Sequence, residues 1–265
     1  MSIFSKRAYI YTVSEGDTLY SIARKFGSTV ELIERANHLF DPVTDPGLIF
    51  PGDVLVVPTL LEVGKTVYIV KSGNTVSGIA SRFSTFKDLV AGINNLENPN
   101  FIFPNQKLIV PVFIYEIESA DTLSSISRRF GISIANLTKA NQGRPGYQED
   151  VIWPEFYLII PLFTSQNVVL WSPLPGTRFS NGQKIEGQAR VFEANVLHQL
   201  RDNNGVIVSN ERSTTANGGA PKYGDFSSKV PFDRSSTSTI GELWVYSRSA
   251  KDGSIQDLVK TKIYF

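Results

Sequence analysis

Four carboxylates are the side chains of this chain best suited to acid–base chemistry: Asp41, Asp45, Glu149 and Asp150. Hydrolysis of a glycosidic bond needs two carboxylates about 5–10 Å apart in a deep cleft. These four lie in loops of small repeated segments. The repeats and the β-rich segment that follows them take up nearly every residue, so nothing is left to form such a cleft. We therefore expect no catalytic residues and no enzymatic activity.

The chain also has few side chains that could bind a metal ion or a cofactor. The chain has no cysteine and only two histidines, His38 and His198. Disulfides, thiolate nucleophiles and zinc sites of the Cys/His kind are therefore excluded. The motifs HExxH, GxSxG and GxxxxGK, which mark zinc proteases, serine hydrolases and phosphate loops, do not occur. We expect no metal and no cofactor, and His198 is predicted to lie on the face of a strand.

Charge and hydropathy exclude two further classes of partner. The net charge is +1 and both signs are mixed along the chain, so there is no basic face for nucleic acid. The longest apolar stretch, LIVPVFIY from Leu108 to Tyr115, contains Pro111 and is shorter than the roughly 20 residues of a membrane span. The N-terminal MSIFSKRAYIY lacks the apolar core of a signal peptide. We expect neither a membrane span nor a signal peptide.

One short sequence pattern occurs three times in the chain. It reads VSEGDTLYSIARKFG from Val13, VKSGNTVSGIASRFS from Val70 and IESADTLSSISRRFG from Ile117. In each copy an asparagine follows the shared threonine after 19 residues, and an aromatic–proline step comes next. These asparagines are Asn37, Asn94 and Asn141. Self-similarity at this spacing indicates an array of small structural units.

The periodicity of each copy predicts a βααβ unit. YIYTV at Tyr9 is typical of a strand. In the segment after it, Leu19, Ile22 and Phe26 share one helical stripe, with Thr18 or Asp17 as its cap and a glycine at its end. A second helical pattern and the strand VLVVP follow. Two helices should therefore cover one face of a small two-stranded sheet.

The repeated pattern resembles the LysM module. The residues that carry the resemblance are the run G-D-T-L-x-x-I-A-x-x-F-G, a second helix ending in Ala-Asn, and a closing I-x-P-G-x-x-L-x-V-P. The three units extend over residues 8–59, 66–112 and 113–162. The first copy matches the pattern best.

The resemblance implies that the repeats bind glycans containing N-acetylglucosamine, such as peptidoglycan or chitin. The implied groove is shallow and lies between the loop after the first strand and the loop before the last. Backbone N–H and C=O groups beside apolar side chains can recognise an acetamide. The residues implied are Gly16, Asp17, Thr18, Leu19, Leu48, Ile49, Phe50, Pro51 and Gly52 in the first unit, Gly73, Asn74, Thr75, Val76, Ile102 and Phe103 in the second, and Asp121, Thr122, Leu123, Ile152 and Trp153 in the third.

Several of these residues also have a purely structural interpretation. The threonines are predicted to be helix caps first, and the asparagines to cap the second helix or hold the next loop. Phe50, Phe103 and Trp153 are either sugar platforms or packing residues. The third copy has Ala120 and Glu155 where the pattern has glycine, so the first repeat should bind best and the third worst.

Residues 166–265 follow a different pattern. Seven short β-rich segments, from NVVLW to LVKTKIYF, are separated by turn signals, which predicts a β-sandwich. The stretches SPLPG, GQARVFE and SAKDGS resemble the immunoglobulin-like domain of bacterial spore germination proteins. The resemblance to that family implies no particular ligand. A role in binding another spore or cell-wall protein is expected.

The sequence therefore predicts a multidomain chain of three small α+β modules and an all-β immunoglobulin-like sandwich. The expected function is non-catalytic peptidoglycan binding in the cell wall or spore envelope, cortex or coat, after synthesis in the mother cell. Two alternatives stay open. The repeats could be a spore scaffold that no longer binds sugar, or the chain could bring a wall hydrolase to its substrate.

Overall fold

The computed structural model describes residues 2–265, which fall into two compact units. The first unit consists of Met1–Ser84, Asn98–Ser127 and Ile132–Pro161. The second consists of Thr85–Glu97, Arg128–Gly131 and Leu162–Phe265. No helix in residues 2–265 is long and apolar enough to cross a membrane.

Each repeat folds as the predicted βααβ unit. The first contains β2 (Lys6–Thr12), α1 (Leu19–Phe26), α2 (Val30–Asn37) and β3 (Val54–Val63). The second contains β4 (Val67–Ile69), α3 (Val76–Arg82), α4 (Lys87–Ile93) and β5 (Lys107–Ile109). The third contains β6 (Val112–Glu116), α5 (Leu123–Phe130), α6 (Ile134–Asn141) and β7 (Tyr157–Pro161). A short strand that the sequence did not indicate, β1 (Ser2–Ile3), precedes them and pairs with β6.

The helix boundaries follow from their caps. Thr18 accepts a hydrogen bond from the backbone N–H of Ser21, whose hydroxyl accepts from the N–H of Thr18, so the predicted cap is confirmed. Gly27 ends α1 at a φ of 66°, in the left-handed region that glycine adopts without strain. In the second copy Ser84 takes that conformation at 53°. The chain therefore keeps the turn even where the glycine is missing.

One sheet joins the first two repeats. Its strand order is β3-β2-β4-β5, and β2 and β4 run parallel, with Tyr9 opposite Val67 and Ile10 opposite Tyr68. The third repeat has a separate sheet of order β1-β6-β7. Parallel pairing gives the first two repeats the same direction, so their corresponding loops emerge at the same end of the sheet.

A buried asparagine ties the second helix to the closing strand. The side-chain N–H of Asn37 donates to the carbonyls of Ile33 and Val56 at 2.8 and 2.7 Å, and its Oδ1 accepts from the N–H of Val56 at 2.8 Å. Asn141 makes the same set of bonds in the third repeat. These asparagines therefore hold helix and strand together, a stronger connection than the predicted cap.

The second unit contains the predicted seven-stranded sandwich. Its strands are β8 (Val168–Ser172), β9 (Gln183–Ala189), β10 (Asn195–Asp202), β11 (Ile207–Thr215), β12 (Gly224–Val230), β13 (Ile240–Arg248) and β14 (Ile255–Tyr264). They form sheets of order β11-β10-β13-β14 and β12-β9-β8 around one apolar core. The core contains no disulfide, because the chain has no cysteine.

His198 lies on β10, fully buried. Its Nε2 is 2.9 Å from Oγ of Ser228, while its Nδ1 has no partner. Burial, and after it the positive charge of Arg212, lower the pKa of His198 to about 4. The folded sandwich therefore holds a neutral imidazole at pH values where a solvent-exposed histidine is charged.

This burial predicts that the sandwich loses stability in mild acid. The unfolded chain gains a proton on His198 near pH 6.5, whereas the folded chain gains it only near pH 4. Above about pH 6.5 this histidine therefore does not lower the free energy of unfolding. At about pH 4.5 it lowers that free energy by roughly 2 kcal/mol. Hydrogen exchange of the sandwich amides at both pH values should show this loss, and His198→Leu should reduce it. An equal loss in both proteins would contradict this assignment.

Candidate functional site

The two loops that would border a groove are held together in every repeat. We use first loop for residues 14–17, 71–74 and 118–121, and closing loop for residues 50–53, 103–106 and 153–156. In the first repeat the N–H of Gly52 donates to the carbonyl of Val13 at 2.9 Å, and the N–H of Val13 donates to the carbonyl of Asp53 at 2.8 Å. The same pair of bonds joins Val70 to Asn105 and Gln106, and Ile117 to Glu155 and Phe156. The predicted loops are therefore brought side by side.

An acidic or amide side chain fixes the shape of the first loop. Asp17 accepts hydrogen bonds from the N–H of Ser14 at 2.8 Å and from the hydroxyl of Tyr11 at 2.6 Å. Asn74 and Asp121 occupy the same position and accept the matching bonds from Tyr68 and Tyr115. The sequence analysis missed these tyrosines. A tyrosine six residues before the Asp or Asn in all three copies was the signal available.

Three of the residues implied as glycan-binding lie in the core. Leu19, Val76 and Leu123 are 6%, 1% and 8% exposed, so their side chains are not available to a ligand and any contact they make must come from the backbone. They start α1, α3 and α5, where the apolar stripe of each helix packs inward.

The threonines are occupied as helix caps. The hydroxyls of Thr18, Thr75 and Thr122 each accept a backbone hydrogen bond from the residue three positions later, at 3.0–3.1 Å. Each of them is also exposed. These threonines are therefore helix caps, as the sequence predicts. Since the residues are exposed, part of each side chain stays at the surface.

Both loops turn through left-handed residues. Gly16 and Gly73 have φ values of 82° and 83°, and no atom lies within 4 Å of the place where a Cβ would stand. In the third copy Ala120 is not left-handed, so its first loop turns differently. In the closing loops Gly52, Asn105 and Glu155 have φ values of 105°, 66° and 69°. The second and third copies therefore retain the closing turn without glycine, at some cost in strain.

The first two repeats present aromatic side chains beside these loops. Phe50 is 57% exposed and Phe103 is 66% exposed, while Ile49 and Ile102 are half-buried. Leu48, Pro51 and Pro104 add exposed apolar surface. Because Phe50 and Phe103 are mostly exposed, their rings offer surface on which a ligand could stack.

The third repeat uses the same positions differently. The ring of Trp153 stacks on His38 of the first repeat, with ring centroids 5.0 Å apart and planes 12° apart. The carboxylate of Glu155 lies 3.2 Å from Nε of Arg35, and Arg35 also pairs with Glu116. Ile152, which directly precedes Trp153, is half-buried. The closing loop of the third repeat is therefore engaged in docking onto the first repeat.

A buried arginine completes this docking. Arg144 is 3% exposed, and its guanidinium donates to the carbonyls of Ala36 and Tyr157 and to Oδ1 of Asn37 and Asn141. The guanidinium also lies over a phenylalanine ring, at 4.0 Å from its centroid. Burial, and then the positive charge of a second arginine, lower the pKa of Arg144. Acceptors at the C-terminal ends of α2 and α6 therefore compensate its charge.

The carboxylates considered for acid–base chemistry lie at the surface. Asp41, Asp45, Glu149 and Asp150 are all exposed. Within residues 2–265, no group of three or more His, Asp or Glu side chains is arranged to hold a metal ion. The arrangement at the loops is one of backbone groups, aromatic rings and prolines, which suits recognition of an uncharged polar ligand.

Comparison with protein families places two kinds of domain in this chain. The model of the LysM domain matches residues 11–58, 68–111 and 115–161, more than half of the chain. The model described as the immunoglobulin-like domain of bacterial spore germination matches residues 167–254. The three repeats and the sandwich therefore correspond to the two families that the sequence resembles.

Among curated proteins, the chain is similar to two amidases and a putative glycosylase. The N-acetylmuramoyl-L-alanine amidase sle1 of Staphylococcus saprophyticus is 31% identical over 160 residues, which cover 51% of this chain and 47% of that protein. The sle1 protein of Staphylococcus epidermidis is 28% identical over 183 residues, covering 60% and 53%. The putative sporulation-specific glycosylase YdhD of Bacillus subtilis is 30% identical over 77 residues, covering 29% and 18%. This chain thus spans about half the length of the two amidases.

The buried guanidinium predicts that the first unit depends on Arg144. Arg144→Met should lower the free energy of unfolding by about 3 kcal/mol, because several buried acceptors lose their donor while the side-chain volume is kept. Denaturant unfolding of the full chain measures this change. Arg24→Met, at an exposed position on α1, is the matched control and should change stability by less than about 0.5 kcal/mol. Equal stabilities of the two variants would exclude a role for Arg144 in docking.

Proposed function

We propose, from the premise that this chain belongs to the LysM domain family, that it binds peptidoglycan through N-acetylglucosamine units and does not cut it. The binding groove lies between the first loop and the closing loop. Its backbone groups read the acetamide, while the neighbouring aromatic ring packs on the apolar face of the sugar. The protein acts in the cell wall or the spore envelope.

The observation that supports this proposal is the exposed aromatic ring beside a rigid loop pair. Phe50 and Phe103 are more than half exposed, and the loops next to them are joined by two backbone hydrogen bonds. A rigid backbone site costs little ordering entropy on binding. Stacking surface and fixed polar groups together are what a sugar ring requires.

Repetition adds affinity to grooves that are individually shallow. The first and second repeats share one sheet, so both grooves are carried by one rigid element. A polymer with repeated sites engages the second groove intramolecularly, and avidity gains of about 10²–10⁴ are attainable in this way. The third repeat, whose closing loop contacts Arg35 and His38, serves in our proposal mainly as a brace.

A targeting role is the second candidate function. The similar proteins are named as amidases and a glycosylase, and this chain matches about half or less of each. A chain that holds wall glycan without cutting it could bring such an enzyme to its substrate. The sandwich, which matches a spore germination family, would then bind the protein partner. Co-purification with a wall hydrolase distinguishes this role from simple wall binding.

Removal of the two exposed rings tests the groove. Phe50→Ala combined with Phe103→Ala should weaken binding to insoluble peptidoglycan at least about tenfold, since each ring contributes on the order of 1 kcal/mol. Co-sedimentation over a range of peptidoglycan concentrations measures this change. Both rings are exposed, so the fold should not be affected.

Phe192→Ala is the matched control. Phe192 is a similarly exposed phenylalanine in the second unit, 67% accessible, and its removal should leave sedimentation unchanged. If the folded native chain stays in the supernatant, the glycan proposal fails and the repeats are a scaffold. If the double variant sediments like the native chain, the ligand binds elsewhere than at these two loops.

A further inference from the structure

A cleft lies between the first two repeats and is lined by residues of their first and closing loops and of the strands before the first loops. Because β2 and β4 run parallel, the first loops that follow them emerge next to each other. The closing loops lie beside them through the paired backbone hydrogen bonds already described. The space between the two sets of loops has a volume of about 280 Å³.

Matching positions of the two repeats line this cleft. Val13 and Val70 correspond, as do Pro51 and Pro104. The remaining lining residues are also largely paired by the repeat: Tyr11, Thr12, Ser14, Glu15, Ile69, Lys71, Ser72 and Asn105. The cleft is thus a product of the way the repeats associate, and a single repeat could not form it.

The lining has the chemistry of a sugar site. Pro51 and Pro104 are exposed and offer two small apolar faces. Hydroxyl, amide and charged groups of Ser72, Asn105 and Glu15 stand around them and can donate to or accept from sugar hydroxyls. An uncharged polyhydroxyl ring with an apolar face satisfies both kinds of surface.

The geometry of the cleft is fixed before any ligand arrives. Nζ of Lys25 in the first repeat donates to Oδ1 of Asn105 in the second at 3.1 Å. Asn105 itself is held by the hydrogen bond from its N–H to the carbonyl of Val70 at 2.8 Å. The parallel strand pair joins the two walls, and the bond from Lys25 to Asn105 adds a contact between them. A pre-organised site loses less free energy on binding.

The cleft also shares residues with the loops of the proposed grooves. Pro51 and Pro104 line the cleft and belong to the closing loops of their own repeats. A glycan held at a closing loop therefore lies near the cleft.

We propose that this cleft is an additional subsite that binds one N-acetylhexosamine unit of a glycan whose neighbouring units occupy a groove. The inference rests on the proposed function, since the glycan must first be held by a repeat. Its consequence is a preference for long chains. An oligomer that fills only a groove leaves the cleft empty, whereas a longer one gains the contacts of both.

The test compares N-acetylglucosamine oligomers of three and six units by calorimetric titration of the full chain. The six-unit oligomer should bind at least about tenfold tighter, beyond the statistical gain from its additional binding registers. Ser72→Trp, at an exposed turn position inside the cleft, should remove that advantage by filling the space. Because Ser72 also belongs to the first loop of the second repeat, a parallel loss of affinity for the three-unit oligomer would assign the effect to the groove and overturn the cleft. Ser119→Trp, at the same turn position of the third repeat and outside the cleft, should leave it intact.

Each outcome decides between the two proposals. Equal affinity of the native chain for both oligomers overturns the subsite but leaves the groove proposal standing. A six-unit advantage that survives Ser72→Trp also overturns it. Loss of the advantage in both variants would assign it to a general disturbance of the loops and count against the cleft. If neither oligomer binds to the folded native chain, the proposed function fails and the subsite with it.

Discussion

A repeat of about fifty residues without cysteine has only a small interior to stabilise it, and this constraint governs the first unit. Small domains bury a low fraction of their surface, and other small proteins compensate with disulfides or metals. In this chain, buried side-chain hydrogen bonds supply part of the stabilisation that disulfides or metals give to other small proteins. Asn37 and Asn141 join helix to strand inside their repeats, and Arg144 joins the third repeat to the first. Stability is thus shared among the repeats.

This sharing explains why the copies have diverged in the loops. A closing loop can face a ligand or another repeat, but the same side chain cannot do both. In the third repeat Trp153 and Glu155 face His38 and Arg35, whereas Phe50 in the first repeat faces solvent. The glutamate keeps a left-handed φ of 69° in spite of its strain, and the ion pair it makes offsets part of that strain.

Local features of this fold could be predicted from the sequence, and the association of the repeats could not. The stripe of Leu19, Ile22 and Phe26 predicts α1 because helical neighbours lie three and four residues apart. The loops bordering the groove were indicated by family resemblance. Arg144 gave no such signal, since its acceptor on Ala36 lies 108 residues away. The exposure of Phe50 and Phe103 could not be predicted either, because it depends on which surfaces the other repeats leave uncovered.

Rigid association has a consequence for the kind of ligand the array can hold. With flexible linkers, the effective concentration at a second site depends only weakly on the spacing of the ligand's units. When the sites share one sheet, as the first two repeats do, the second contact forms only if the ligand's spacing fits the protein. The gain in affinity is larger for a polymer whose unit spacing fits the two sites, and it is absent for ligands with another spacing. A regular chain of identical units offers such a match at many positions, so rigidity favours a polymeric ligand over a collection of separate sugars.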